Sequence, residues 1–442
     1  RTAIRNTDLP FPSGRIVINL APADVRKEGP AFDLPIALAL LTAQGSLHPS
    51  MLQGVVASGE LALDGSLRPV RGAVGIGLLA ASSGYRSIIV PTANGVEAAV
   101  AGDVEVFAAS NLREAVAHLR GTRRLPRSVG RAARAPTGPD LTDVRGQAAA
   151  KRALEIAAAG RHNILLTGPP GAGKTMLARR LPGILPPLPH DHALTVTRIH
   201  SAAGLAAEGL IVAPPFRSPH ATISYAGLVG GGGMPRPGEI SLAHHGVLYV
   251  GEIPEFDRRA LEALRQPLED GTIVISRVRA AVALPARFML VASRNPCPCG
   301  RGDDDLTCEC TPYQKRRYRH RISGPLLDRI DLRVLVPRLS PDELASTKPS
   351  DASSVVRARV IHAHELALSR QGCSNARLGG ELLRHHTALG DDAARLARAA
   401  AESLVLSGRG WDRLLRLART IADLDAASRI QASHIAEAVS YR

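Results

Sequence analysis

The apolar positions change period along this chain, and the changes mark its organisation. Near the N-terminus Ile16, Ile18 and Leu20 recur at every second residue, which predicts a strand with one apolar face. Ser87-Ile-Ile-Val-Pro is a continuous apolar run closed by proline, the pattern of a buried strand. Further on, Asn163-Ile-Leu-Leu-Thr, Gly246-Val-Leu-Tyr-Val and Phe288-Met-Leu-Val-Ala are apolar runs separated by segments of helical spacing. Strands alternating with helices predict a parallel α/β sheet. Past Pro341 the chain is rich in Ala, Leu and Arg. There Leu404, Leu414, Leu415, Leu417, Ile421 and Leu424 fall at helical intervals and predict packed helices. No repeat of solenoid period is present.

These patterns divide the chain into residues 1–120 of mixed α and β character, a linker over 121–139, an α/β region over 140–340 and a helical region over 341–442. The linker reading rests on composition. From Arg120 to Pro139 the arginines Arg120, Arg123, Arg124, Arg127, Arg131 and Arg134 occur with no acidic residue, so the segment serves as a plain linker, a solvated arm or a phosphate contact.

Within the α/β region, Gly168-Pro169-Pro170-Gly171-Ala172-Gly173-Lys174-Thr175 fits G-x-x-x-x-G-K-[ST] between a predicted strand and a predicted helix. Glycines let successive backbone N–H groups turn inward as an anion cradle at a helix N-terminus. Lys174 then reaches the β- and γ-phosphates, and the Thr175 hydroxyl ligates Mg²⁺, so ATP or GTP is the expected ligand.

The run Gly246-Val-Leu-Tyr-Val-Gly-Glu ends where a strand-terminal acid belongs. Glu252 is placed to polarise the attacking water as a general base. The preceding position calls for an aspartate that steadies the Mg²⁺ shell, and Gly251 stands there instead. Asn295 follows the next strand and is placed to orient the water. Arg329, between Asp328 and Asp331, either reaches the γ-phosphate of the next subunit or closes an internal salt bridge. Arg413, with Arg409 as its competitor, is the candidate sensor from a helical lid.

Taken together, several stretches resemble the YifB/ComM family of magnesium-chelatase-like AAA+ ATPases. They are Asp143-Val-Arg-Gly-Gln, the phosphate loop, Pro237-Gly-Glu-Ile-Ser-Leu-Ala-His, Leu264-Arg-Gln-Pro-Leu-Glu-Asp-Gly, Asn295-Pro-Cys-Pro-Cys-Gly, Ser323-Gly-Pro-Leu-Leu-Asp-Arg-Ile-Asp-Leu and Ala418-Arg-Thr-Ile-Ala-Asp-Leu. The resemblance implies an AAA+ P-loop domain with a C-terminal helical lid, a homo-hexameric ring with ATP between subunits, and a helicase driving branch migration of incoming DNA. It also implies pore-lining insertions. Here these match Phe216-Arg-Ser-Pro-His-Ala through Gly230–Gly233, and the hairpin-like Ile275-Ser-Arg-Val-Arg-Ala. Arg277 and Arg279 on such a hairpin grip DNA phosphates without reading bases, or are ordinary surface charge. Lys27-Glu-Gly-Pro-Ala-Phe-Asp and Gly59-Glu-Leu-Ala-Leu-Asp-Gly are similar to the Lon proteolytic domain, an α+β fold. Ala31 stands at the serine position and no lysine occurs from 28 to 150, which leaves a non-proteolytic platform.

Cys297, Cys299, Cys308 and Cys310 form two Cys-x-Cys pairs that are able to converge on one Zn²⁺ as a closed structural site, or to remain a reduced loop. Such clustering does not read as a disulfide framework, so a cytoplasmic location is expected. Composition adds a partner class. The formal net charge is +15, and aromatics are only 3%, which favours a polyanion held by charge over one held by base stacking. Lysine occurs only at 27, 151, 174, 315 and 348, an arginine bias that coding composition also produces. No apolar run reaches membrane-spanning length. The chain opens on Arg1 in what already reads as domain sequence, so an N-terminal stretch is expected to be missing. Three functions remain in competition: a DNA motor, an ATPase subunit driving metal insertion into a porphyrin, and an ATP-binding scaffold whose turnover is weakened by Gly251.

Overall fold

The computed structural model describes residues 1–21, 29–131, 138–205, 209–232, 236–277, 280–302, 306–345 and 350–442. The chain forms two compact units, residues 1–134 with 189–212 and residues 135–188 with 213–442.

In the first unit the strands Val55–Ala57, Ser87–Pro91 and Glu105–Ala109 run parallel, and Arg127–Ser128 adds an antiparallel edge. Successive side chains on a strand point to opposite faces. Ile89 therefore joins a core with Leu34, Leu38 and Leu112, while Ile88 and Val90 join another with Ala73 and Ala80. This is why Ser87-Ile-Ile-Val-Pro is apolar throughout. Part of the arginine-rich stretch is drawn into the same sheet, where Arg127 pairs with Glu105 at 3.5 Å.

The alternation at Ile16, Ile18 and Leu20 produces no strand, and Val17 and Ile18 are exposed. An extended segment becomes a strand only where a neighbouring ladder takes its N–H and C=O groups. Residues 15–20 meet none among the described residues. The helix His190–Ala203, which follows the phosphate-loop helix in sequence, packs in the first unit against the helix Ala73–Ser82. The Ser201 carbonyl accepts the Gly72 N–H at 3.1 Å there, and the Ser201 hydroxyl accepts the Val74 N–H at 3.4 Å.

The second unit is built on five strands: β1 (Ile164–Thr167), β2 (Phe216–Arg217), β3 (Val247–Val250), β4 (Met289–Arg294) and β5 (Leu332–Leu335). All run parallel, in the order β5-β1-β4-β3-β2. The direction of winding changes beside β1, and in open parallel sheets ligands bind off the carboxyl ends of the strands at such a point.

Both faces of this sheet are buried, as the continuous apolar runs require. Ile164, Leu166, Tyr249 and Val291 pack with Leu154, Leu177, Leu414 and Ile421 on one face. Leu165, Leu248, Leu290 and Ala292 pack with Ile240, Leu264, Ile322 and Leu326 on the other. The C-terminal helices Ser353–Gln371, Asp391–Ser403, Gly408–Leu424 and Ala432–Ser440 cover the first face. Leu414, Leu417 and Ile421 turn inward as their spacing predicts, whereas Leu404 caps the preceding helix and is exposed. No helix among the described residues is long and apolar enough to cross a membrane.

Candidate nucleotide site and cysteine cluster

The octet 168–175 lies between β1 and the helix Lys174–Ile184, the strand–loop–helix setting read from sequence. At Gly168 the loop crosses the end of β5 so closely that a Cβ would stand 2.1 Å from the Val336 carbonyl oxygen, so only glycine fits. Gly171 and Gly173 take φ of +79° and +90°, the left-handed conformations that wrap the loop around an anion.

Lys174 is 8% exposed and folds back over this loop. Its Nζ donates to the carbonyls of Gly168 (2.6 Å) and Pro169 (2.9 Å) and to Asn295 Oδ1 (3.0 Å). Burial pulls the lysine pKa down, and the Glu252 carboxylate opposes that shift. Four sequence-predicted residues are thereby brought together. Lys174 and Thr175 come from the loop off β1, Asn295 from the end of β4 and Glu252 from the end of β3.

Glu252 takes an unusual backbone conformation, φ +52°, at the start of the turn Ile253–Glu255, and its side chain is exposed. A left-handed non-glycine residue at a strand end is a strained position, and such strain concentrates at functional sites. Its N–H donates to Ser293 Oγ at 3.3 Å. Ser293 Oγ lies 2.9 Å from Tyr249 Oη, which in turn lies 2.9 Å from Thr175 Oγ1. Neither Tyr249 nor Ser293 stood out in the sequence. The available signal was their place two residues before Gly251 and Asn295, on strands that end at the site. Glu255, a nearby acid able to stand in for the missing aspartate, is paired with Arg321 at 3.0 Å.

The two candidate arginines hold one turn, residues 324–331. Arg329 forms an internal ion pair, with Glu269 in place of Asp328 or Asp331, and donates to the Pro325 carbonyl at 2.6 Å. Its Nε is buried without an acceptor among the described residues. Asp331 is turned instead toward His162 and the Asn163 N–H. Arg413 is 7% exposed and donates to the carbonyls of Leu327 (3.3 Å) and Ile330 (3.1 Å), with Asp328 at 3.4 Å. Its competitor Arg409 is exposed.

The four clustered cysteines converge. Their sulfur atoms all lie within 4.8 Å of one another, with Cys297–Cys299, Cys299–Cys308 and Cys297–Cys308 at 3.3, 3.6 and 3.8 Å. Four thiolates about 2.3 Å from one Zn²⁺ would stand about 3.8 Å apart, so the donor set and its spacing fit that ion. The backbone at Cys299 favours the Cys310 thiolate, yet desolvation and the crowding thiols of Cys299 and Cys297 push its pKa up to about 11. The loop that carries Cys297 and Cys299 also touches the phosphate loop. A Cβ on Gly300, at φ +83°, would stand 2.6 Å from Pro170 Cδ. Cys373 is apart from this group.

The expected hairpin is present as Thr272–Arg277 paired antiparallel with Ala280–Pro285. Arg277 closes its first strand, Arg279 lies outside the described residues, and so does Gly233 of the glycine run.

Three family models match the chain: "Magnesium chelatase, subunit ChlI" over residues 140–344, "Subunit ChlI of Mg-chelatase" over 1–94 and "Magnesium chelatase, subunit ChlI C-terminal" over 350–442. The chain is 47% identical to the uncharacterised protein YifB of Salmonella typhimurium over 445 residues, covering 100% of this chain and 88% of the relative. It is 43% identical to the competence protein ComM of Haemophilus influenzae over 455 residues, again with 100% and 88% covered. The chain belongs to the YifB/ComM family. Its parallel five-stranded sheet and helical C-terminal region are those of a magnesium-chelatase-like AAA+ fold. More remotely, it is 29% identical to the magnesium-chelatase 67 kDa subunit of Chlorobaculum parvum over 160 residues, 35% of this chain and 23% of that one. Family membership implies use of a nucleotide and Mg²⁺. In this chain Thr175 offers the hydroxyl ligand such an ion takes, while position 251 offers no carboxylate.

Proposed function

We propose that this chain is one subunit of a homo-hexameric, cytoplasmic DNA motor that hydrolyses ATP between subunits and drives strand exchange at branched DNA. The observation that carries the reading is the meeting of Lys174, Thr175, Asn295 and Glu252 at the carboxyl ends of β1, β4 and β3. The name of the ComM relative and the excess positive charge support DNA as the partner.

In this reading residues 168–175 bind the triphosphate and Lys174 leaves the loop carbonyls for the β- and γ-phosphates. Bound Mg²⁺ supplies charge neutralisation on those phosphates, with Thr175 as its protein ligand. Asn295 orients a water and Glu252 takes its proton as the oxygen attacks phosphorus and the bond to the β-phosphate oxygen breaks. Arg329 acts on the neighbouring subunit's nucleotide, and its Nε, without an acceptor among the described residues, supports a guanidinium with a donor to spare. Arg413 acts from the helical region, and Arg277 and Arg279 on the hairpin contact DNA phosphates. The four cysteines hold Zn²⁺ as a structural centre. The first unit serves as a non-proteolytic platform.

The test is steady-state ATP hydrolysis by the assembled chain with and without single-stranded and forked DNA. Turnover stimulated by DNA is expected. Turnover indifferent to DNA would sink the motor and favour a chelatase-type ATPase subunit, the second reading, which the chelatase family models and the Chlorobaculum match support. Binding without turnover would leave the scaffold.

A further inference from the structure

The nucleotide site lacks an acid where one is needed and contains a hydroxyl chain that the sequence did not advertise. Building on the ATP-binding reading above, we propose that Tyr249 is a positioning residue that replaces the absent aspartate at position 251. Three observations meet here. Tyr249 Oη is 2.9 Å from Thr175 Oγ1, the one side-chain Mg²⁺ ligand the phosphate loop offers. Tyr249 Oη is also 2.9 Å from Ser293 Oγ, and Ser293 Oγ accepts the N–H of Glu252, the proposed general base. Finally, a Cβ built on Gly251 would stand 3.1 Å from Tyr249 Cε1 and 3.4 Å from its Oη. The phenol thus occupies the space into which an aspartate at 251 would extend, and it touches the hydroxyl such an aspartate would serve.

Hydroxyl valence sets what this chain is able to do. Each hydroxyl donates once and accepts twice. With Glu252 N–H already donating to Ser293, valence allows an order in which Tyr249 donates to the second lone pair of Ser293 and accepts the Thr175 proton, and the proposal takes that order. Both Thr175 lone pairs then remain open toward a cation. An aspartate does the same by accepting the Thr175 proton on a carboxylate oxygen. The phenol reproduces the orientation and omits the charge, so it supports cation binding through Thr175 alone. The same chain joins Thr175 to the Glu252 backbone, so the metal ligand and the base sit on one hydrogen-bonded frame.

The test is ATP affinity of the assembled chain by titration calorimetry, in Mg²⁺ and in EDTA, in the cold where turnover is negligible. The ratio of the two affinities isolates the magnesium-dependent gain. Tyr249→Phe is expected to cut that gain about five- to tenfold, the scale of one lost hydrogen bond, leaving affinity in EDTA and the melting temperature unchanged. Adding Gly251→Asp to Tyr249→Phe is expected to restore the gain, because the carboxylate then takes the place the phenol oxygen leaves while the ring edge, 3.1 Å from the new Cβ, gives by a few tenths of an ångström. Ser293→Ala, which leaves the tyrosine packing alone, is expected to give a smaller loss of the same sign. The proposal is overturned by an equal gain in wild type and Tyr249→Phe, by an equal loss with and without Gly251→Asp, or by a loss that is as large in EDTA. Failure of the wild type to bind ATP at all would overturn the nucleotide reading as well; binding indifferent to Tyr249 overturns this proposal alone.

Discussion

The chain builds two largely parallel sheets with helices packed on both faces, and the candidate nucleotide-site residues lie on only one of them. In the first unit the strands run out into Ser58, Thr92 and Ser110, with Pro91 closing the middle one. In the second, β1 runs into the phosphate loop, β3 into Glu252 and β4 into Asn295. Both sheets satisfy their backbones and bury their apolar faces in the same way. What separates them is a handful of residues at the carboxyl ends of three strands, which is where function resides on such folds.

Substitutions that strike one sheet and spare the other put this contrast to the test. The largest effect belongs to Lys174→Ala, which removes the buried cation at the phosphates and should lower kcat/KM for ATP about a thousandfold. Glu252→Gln should cost about a hundredfold in kcat while ATP binding persists, read by paired turnover and binding assays. If either variant turned over normally, the second sheet would lose its special standing.

Acid should also distinguish the two units. Burial, with the Arg161 charge adding to it, depresses the His364 pKa to about 4, against a backbone contact to Ala159 that raises it. A depressed folded pKa means the unfolded chain takes up the proton first, so the contribution is intact above about pH 6.5 and is lost as pH falls toward 4. We expect the second unit to lose about 2 kcal/mol across that window, read by hydrogen exchange along the helix Ser353–Gln371, and His364→Gln to flatten the loss. In the first unit burial, aided by Arg124, also lowers His118, but that ring is only partly enclosed and the acid response there should be weaker.

A smaller change is expected from the cysteines. Cys297→Ser should release bound zinc, measured by elemental analysis, and weaken ATP binding severalfold through the Gly300–Pro170 contact. Zinc loss with unchanged ATP affinity would uncouple the cluster from the loop. The smallest effect serves as the control: Ser58→Ala, at a strand end of the first sheet, should leave ATP turnover within about twofold.

How much of this was legible beforehand depended on how local each signal was. The phosphate loop, the strand before it and the helix after it follow from adjacent residues, and all three stand where they were read. Arg329 was harder: beside the next subunit's γ-phosphate, the internal partners read for it were the neighbouring Asp328 and Asp331, whereas the chain supplies Glu269 from another helix. Ile16, Ile18 and Leu20 carried the right period and still formed no strand, since pairing needs a second segment that alternation cannot guarantee.

The amino-acid sequence by itself determined the loop of phosphate-binding pattern, the candidate acid and amide at the neighbouring strand ends, the four thiols and the family, because each is a matter of residue type at short spacing. Tertiary structure alone decided that residues 189–212 leave the nucleotide-binding unit to pack in the other. It alone brought Tyr249 onto Thr175 and Ser293 onto Tyr249, and set the cysteine loop against Pro170. Those contacts join positions scores of residues apart, and their geometry comes from strand order and register, which no local pattern encodes.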